Sequence, residues 1–217
     1  MSSKILFIDE ESVQQDRFVD YIEAESTDVE VKCMVPLSSL EDMLHKIEGY
    51  CPDAIVTDFQ LNEIKTDVTY TVQYNGIDLV NAIREQWENF PCFVITSFDD
   101  EAVNSSEDVN LVYIKDLLNR RSDDKSKVTF LERVLSQIDK YRARIAKAKQ
   151  ELATLILKRK SGAANIYDEQ RLIEIDTFLE KSVAGNESIP EDLKKLSNIE
   201  RLNALIAKAD EILERVK

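Results

Sequence analysis

Six side chains in the first 115 residues have the types needed for metal-assisted phosphoryl chemistry: Asp9, Glu10, Asp58, Thr96, Ser97 and Lys115. The stretch KILFIDEES begins as an apolar run and then breaks into three consecutive acids, Asp9, Glu10 and Glu11. A strand end that meets water needs one polar residue, whereas packed carboxylates repel each other unless something positive sits between them. Three carboxylates gathered at one point would bind a hard divalent cation such as Mg²⁺, which takes oxygen ligands and shares its shell with phosphate. An ammonium and a hydroxyl beside it would hold the remaining phosphoryl oxygens. Asp58 then reads as a nucleophile, because a carboxylate can attack phosphorus when a metal and a lysine neutralise the charge gathering on the equatorial oxygens. Asp9 and Glu10 read as metal ligands, and Glu11 as a bystander at the start of a helix.

Those residues work together only if the chain places them together, and its hydrophobic pattern indicates how. KILFI reads as a strand, followed by a helix with Val13, Phe18 and Ile22 on one face. Residues 29–35 read as a second strand; Leu40, Met43, Leu44 and Ile47 mark a second helix. DAIVTD is a third strand, Ile77, Val80, Ile83 and Trp87 mark a third helix, and CFVITS and LVYIK are the fourth and fifth strands. Short strands that are apolar almost throughout are buried on both faces, which implies a parallel sheet between helices. The expected fold is an α/β, five-stranded doubly wound parallel sheet followed by a helical bundle or coiled coil. In such a sheet the ligand site lies outside the carboxyl ends of the strands, near the point where strand order reverses. The first strand ends at Asp9-Glu10, the third at Asp58, the fourth at Thr96-Ser97 and the fifth at Lys115.

The bulk composition agrees with this organisation. A chain of 217 residues with 43% hydrophobic and 32% charged residues is long enough for one substantial core plus an appendage. Residues 1–124 carry nine Lys+Arg against 27 Asp+Glu, a net −18, whereas residues 125–217 carry 19 against 15, a net +4. This asymmetry divides the chain into an expected domain at 1–124 and another at 125–217. The three cysteines are far apart and lack metal-site spacing, so reduced thiols are expected rather than a disulfide framework or a zinc site. No apolar run is long enough for a signal peptide or a membrane span, and the expected location is cytoplasmic. His45, the sole histidine, lies off the apolar face of its helix and reads as a surface residue. The C-terminal region, with no histidine, cannot be a histidine kinase or a histidine phosphotransfer domain.

The segments ILFIDEE, PDAIVTDFQL, FVITS and YIKD, in this order and spacing, resemble the receiver domain of two-component response regulators, over roughly the first 120 residues. The resemblance implies the flavodoxin-like receiver fold, with Asp58 accepting phosphate from a sensor histidine kinase and Asp9, Glu10, Asp58 and the main-chain carbonyl of Gln60 holding Mg²⁺. It implies that Thr96 is the switch hydroxyl, that Lys115 pairs with the phosphate, and that Ser97 is the small side chain beside the entering group. It also implies a phosphoacceptor rather than a turnover enzyme. Phe98, two positions beyond the threonine, would screen the hydrolytic water and lengthen the life of the acyl phosphate.

Several positions depart from the family pattern. Glu10 stands where aspartate is usual, Asp116 follows the lysine where a cis proline is usual, and Val112 occupies the aromatic switch position. Tyr113 is expected to face the other side of its strand. Between Asp58 and Gly76 the chain carries LNEIKTDVTYTVQYNG, where Val68, Tyr70, Val72 and Tyr74 alternate with polar residues. This alternation predicts a strand or small hairpin near the site.

Beyond residue 128 the pattern is helical. Leu131, Leu135, Ile138, Ile145, Leu152 and Ile156 suggest a heptad seam interrupted by Arg142 and Lys149, and Ser161-Gly162 breaks the helix. A second helix is expected from near Tyr167 to Val183, with Leu172, Ile175 and Leu179 inward. Ile199, Leu202, Ile206, Ala209, Leu213 and Val216 form a final stripe. The basic run KYRARIAKAKQ admits a nucleic-acid-binding regulator, using the helix around 140–160, as an alternative. The acidic stretch DEQRLIEIDTFLE favours ion pairing between helices over DNA. The expected module dimerises or binds a protein partner. A receiver that is not phosphorylated and serves as a scaffold is the remaining alternative.

Overall fold

The computed structural model describes residues 2–61, 70–97, 112–115 and 128–182. Within them the chain runs β1 (Ser3–Ile8), α1 (Ser12–Glu25), β2 (Val29–Met34), α2 (Leu40–Tyr50), β3 (Ala54–Asp58), α3 (Gly76–Gln86), β4 (Cys92–Thr96), β5 (Val112–Ile114), α4 (Phe130–Lys160) and α5 (Ile166–Glu180). The five strands form one all-parallel sheet in the order β2-β1-β3-β4-β5. Strand order reverses between β1 and β3, so the crevice outside their carboxyl ends is where a doubly wound fold places its ligand. This is the doubly wound parallel sheet that the alternating pattern predicts, in the flavodoxin-like order that the resemblance implies.

Alternate side chains of each strand enter opposite layers, because successive residues of a strand point to opposite faces. Leu6, Ile8, Ile55 and Val94 pack with Met43 and Ile47 of α2 and with Ile77, Val80 and Ile83 of α3. Ile5, Phe7, Val56 and Ile95 pack with Phe18 and Ile22 of α1 and with Phe130, Leu131, Val134 and Ile138 of α4. Each such aliphatic or aromatic side chain contributes roughly 1.5–3 kcal/mol on burial. β2, at the sheet edge, alternates half-buried and exposed positions instead of being buried throughout.

Two details of the helix faces differ from expectation. Val13 is 58% exposed, and Tyr21 joins Phe18 and Ile22 on the inner face of α1. The reason is geometric: at the helical repeat of about 3.6 residues, Val13 points well away from the Phe18, Tyr21, Ile22 stripe. On α4 the buried positions are Phe130, Leu131, Val134, Ile138, Tyr141, Ala148 and Leu155. The seam therefore does not run through Leu135, Arg142, Lys149 and Ile156, and the two cations do not interrupt it. Ile156 is exposed and Leu135 only packs at the margin.

The chain divides into two compact units, residues 1–150 and 151–217, so the division falls within α4. The charge step at residues 124 and 125 lies before that helix. In the first unit Arg142 Nη2 lies 2.8 Å from Asp53 Oδ2, which also accepts a 2.9 Å hydrogen bond from the Lys4 main chain. In the second unit α4 ends in a turn at Gly162, whose φ of +70° suits glycine. Asn165 and Asp168 then form a reciprocal capping box that starts α5. Lys158 pairs with Asp168 at 2.6 Å, Arg159 with Glu169 at 3.4 Å and Arg171 with Glu151 at 2.8 Å. These pairs join α5 to residues 151–160 of α4 rather than to the basic run at 140–150, and in the Glu151–Arg171 pair the acid is on α4; Ile175 is buried with Leu172 and Leu179 half-buried. The stripe at residues 199–216 lies outside the described residues. Among the described residues no helix is long and apolar enough to cross a membrane.

Candidate functional site

Each candidate side chain sits where a strand stops. β1 ends at Ile8, and the chain turns into α1 through Asp9, Glu10 and Glu11, the last of which is the residue before the helix. Asp9 is held firmly in this turn: its main-chain N–H donates to the Met34 carbonyl at 3.3 Å, and its carbonyl accepts from Gln15 Nε2 at 2.7 Å. Its carboxylate is split between two donors. Oδ1 accepts from the Glu11 main chain at 2.9 Å and Oδ2 from Lys115 Nζ at 3.2 Å. Asp58 is the last residue of β3, and the next residue still pairs with β4, Phe59 N–H donating to the Ile95 carbonyl at 2.9 Å. Lys115 Nζ lies 3.0 Å from Asp58 Oδ1. One ammonium therefore bridges the ends of β1 and β3 from its place directly after β5.

The carboxylates of Asp9, Glu10 and Asp58 form a group in which one oxygen of each lies within 4.8 Å of the others. Their residues are 0%, 1% and 6% exposed. Burial raises the Asp58 carboxyl to about 7, Lys115 opposes this, and Asp9 and Glu10 add to it. Burial also raises Asp9, against the pull of Lys115 and the Glu11 amide. For Lys115 burial acts downward, yet Asp58 and Asp9 outweigh it and hold the ammonium above its ordinary range. These directions share one cause. Three buried carboxylates face one ammonium, so the cluster carries surplus negative charge that must be met by a proton or a cation, since uncompensated burial of an ion costs several kcal/mol. An all-oxygen donor set of this kind suits Mg²⁺.

Thr96 closes β4 and is 1% exposed, with Ser97 exposed just beyond it. Gln60 is half-buried two residues after Asp58. Asp9, Glu10, Asp58 and Lys115 are thus brought together by the fold, and Thr96, Ser97 and Gln60 lie at the neighbouring strand ends. Tyr113 packs on Phe93 and Phe130 at ring distances of 5.9 and 5.2 Å, whereas Val112 packs in the other layer. Tyr113 faces away from the side that Val112 occupies, as expected. Phe98 and Asp116 lie outside the described residues.

The segment before α3 differs from its expectation. Residues 70–75 form no strand, and residues 62–69 lie outside the described residues. The alternation nonetheless has a structural outcome: Val72 and Tyr74 are buried while Thr71 and Gln73 are exposed. Tyr70 Oη donates to the Pro36 carbonyl at 2.6 Å and Tyr74 Oη to the Leu37 carbonyl at 2.8 Å. An extended strap laid across the β2–α2 loop satisfies the same period-two pattern as a strand, with phenols in place of ladder hydrogen bonds. Asn75 then caps α3, making a reciprocal pair with Asp78. The sequence reading missed three positioning residues, namely Gln15, Tyr70 and Tyr74. A polar residue one turn into an amphipathic helix and a tyrosine pair in an insertion were the only signals available.

No protein-family model matches the sequence, and no curated protein matches it. Among solved structures, the anti-anti-sigma factor PhyR from Bartonella quintana is similar at 15% identity and a TM-score of 0.44, over 69% of this chain and 52% of its own, about half its length. A two component transcriptional regulator AraC from Clostridium phytofermentans ISDg is similar at 13% identity and a TM-score of 0.44, over 66% of this chain and 99% of its own. RcsB from Salmonella enterica serovar Typhimurium, solved bound to promoter P1flhDC, is similar at 12% identity and a TM-score of 0.42, over 90% and 97%. The fold rests on the strand order given above, and the chemistry on the side chains at the strand ends.

Proposed function

We propose that this chain is a phosphorylation-switched signalling protein in which the α/β unit is a receiver and Asp58 is the phosphoacceptor. The observation that supports it most directly is Lys115 Nζ bridging Asp58 and Asp9 at 3.0 and 3.2 Å inside a buried acidic cluster. Asp9, Glu10, Asp58 and the main-chain carbonyl of Gln60 would hold Mg²⁺. When bound, that ion supplies positive charge for the equatorial phosphoryl oxygens and removes the need for a proton on Asp58. An Asp58 oxygen attacks phosphorus, the bond to the donor's imidazole nitrogen or acyl oxygen breaks, and the electron pair leaves with the donor. Lys115 stabilises the incoming oxygens as a fixed, preorganised charge. Thr96 supplies a hydroxyl to the bound phosphoryl group, and the small Ser97 leaves room for it.

The protein acts as a phosphoacceptor rather than as an enzyme turning over a separate substrate, and its partner is a sensor histidine kinase or a small phosphodonor. It works in the cytoplasm. The helical region from 125–217 is the output, acting by dimerisation or by binding a protein. The pairs of Lys158 with Asp168 and Arg159 with Glu169 support a protein-facing role over a DNA-facing one, because these two cations of the 140–160 helix are already neutralised.

Acetyl phosphate with Mg²⁺ tests the reading. Mass spectrometry of the full chain should show one acid-stable, base-labile phosphoryl group, absent in Asp58→Asn. No adduct under any divalent cation would overturn phosphorylation and leave a scaffold that keeps only the fold. Tight, salt-sensitive retention of duplex DNA by the full chain would overturn the protein-facing output.

A further inference from the structure

The oxygens assigned above to the cation come from two limbs of the chain. Asp9 and Glu10 follow β1, while Asp58 ends β3 and Gln60 lies two residues beyond it. The β1–β3 ladder stops at the Ile8–Thr57 pair, short of all four. Whatever ties the chain together past that pair therefore sets how far apart the two limbs stand.

The strap at residues 70–75 reaches both limbs. On the β1 side the Asp9 N–H donates to the Met34 carbonyl at 3.3 Å, and two and three residues further on Pro36 and Leu37 offer the carbonyls to which Tyr70 Oη and Tyr74 Oη donate at 2.6 and 2.8 Å. On the β3 side the strap runs through Asn75 into Gly76, whose N–H donates to the Phe59 carbonyl at 2.8 Å. Phe59 N–H is itself committed to the Ile95 carbonyl, so both main-chain polar groups of the residue between Asp58 and Gln60 are fixed. The side chains repeat the connection. Met34, Phe59, Leu61, Val72 and Tyr74 belong to one buried layer with Leu37 packed against it, and Phe59 and Leu61 flank Gln60. Burial holds the Tyr74 phenol above its ordinary range, so it remains a neutral donor. Tyr74 is 5% exposed and Tyr70 39%, which makes the first the stronger tie.

We propose that the strap, through the Tyr74 phenol first and the Tyr70 phenol second, sets the size selectivity of the Asp9, Glu10 and Asp58 site, holding it to Mg²⁺ against Ca²⁺. This rests on the reading of that site as a cation site given under the proposed function. Mg²⁺ demands near-ideal octahedral geometry at about 2.0–2.1 Å, whereas Ca²⁺ takes about six to eight oxygens at about 2.3–2.6 Å in a flexible shell. Selectivity between them then follows from how freely the two limbs can part. Both phenols are committed to backbone carbonyls, so they act as positioning residues behind the ligands, the place where outer partners tune a metal site.

Calorimetry of the full chain with MgCl₂ and, separately, CaCl₂ tests this in the parent, Tyr74→Phe and Tyr70→Phe. Tyr74→Phe removes only the hydroxyl. It should weaken Mg²⁺ about fivefold or more, toward the lower end of the loss seen when outer partners of metal ligands are removed, and Ca²⁺ by less than about twofold. Tyr70→Phe should move the ratio of the two affinities the same way by less. An unchanged ratio in a Tyr74→Phe protein whose circular dichroism matches the parent overturns the proposal, even if its melting temperature falls, because a purely structural bond would weaken both ions alike. Should Tyr74→Phe fail to fold, Tyr70→Phe decides, and a parental ratio there overturns it. Mg²⁺ bound as tightly by Asp58→Asn as by the parent, or by neither into the millimolar range, overturns the cation site itself and this proposal with it, a result distinct from an unchanged ratio.

Discussion

Gly76 packs directly onto the backbone of Asp58: a Cβ at position 76 would run into the main-chain carbonyl oxygen of Asp58. The same glycine donates its N–H to the Phe59 carbonyl at 2.8 Å. The first residue of α3 thereby sets where the backbone of Asp58 lies. Because the obstacle is backbone rather than a flexible side chain, Gly76→Ala must shift the strand end or the helix. We expect a loss of about 1–3 kcal/mol, as for an overpacked core, together with a slower rate of phosphorylation by acetyl phosphate. Chemical denaturation and the phosphorylation time course measure the two, and a variant with parental values for both contradicts this placement of α3.

Among the described residues, Lys115 lies within ion-pair distance of both Asp9 and Asp58. Removing it leaves carboxylates buried without that compensation, which typically costs roughly 3–5 kcal/mol when one partner of a buried pair is lost. Lys115→Ala should therefore lower the melting temperature of the metal-free protein and slow phosphoryl transfer by about a hundredfold or more. Mg²⁺ should recover more stability in this variant than in the parent. Equal gains in the two proteins would count against a shared electrostatic site.

The Asp58 carboxyl, raised to about 7 by burial and its acidic neighbours, gives a pH signature to the metal-free protein. The folded state keeps a proton that the unfolded chain releases near its ordinary carboxylate value of 3.8. This contribution to stability is fully present below that lower value and is lost as pH rises through the folded one. In EDTA the melting temperature should fall between about pH 5 and pH 7.5, and Mg²⁺ should raise it more at the upper end. Asp58→Asn should flatten the slope. A Mg²⁺ increment independent of pH would sink the electrostatic account.

In the second unit the two kinds of polar contact differ in worth. Asn165 accepts from the Asp168 N–H at 3.0 Å, while Asp168 Oδ2 accepts from the Asn165 N–H at 2.8 Å. Replacing Asn165 by Ala should cost about 1 kcal/mol. Arg171→Ala breaks an exposed pair with Glu151, which solvent screening leaves weak. Local stability of α5, followed by amide exchange, should therefore respond to the cap more than to the ion pair. The reverse order would refute this ranking.

Sequence alone carried the parts of this protein that depend on local pattern. Short apolar runs alternating with amphipathic stretches specified the doubly wound sheet, because a strand buried on both faces and a helix buried on one leave different periodicities. The strand ends then named Asp9, Glu10, Asp58 and Lys115, since in a parallel sheet every carboxyl end reaches the same edge. Charge marked α4 and α5 as partners, but the cations that pair are Lys158 and Arg159 and not those of the basic run at 140–150. Tertiary structure decided the rest, wherever one pattern admits two environments. The alternation before α3 suits a strand or a strap, and the available carbonyls of Pro36 and Leu37 made it a strap. On α4, Leu135 and Arg142 share one column while Val134 and Tyr141 share the next, and the layer beneath received the second. Arg142, read in sequence as a flaw in a seam, instead anchors α4 to Asp53.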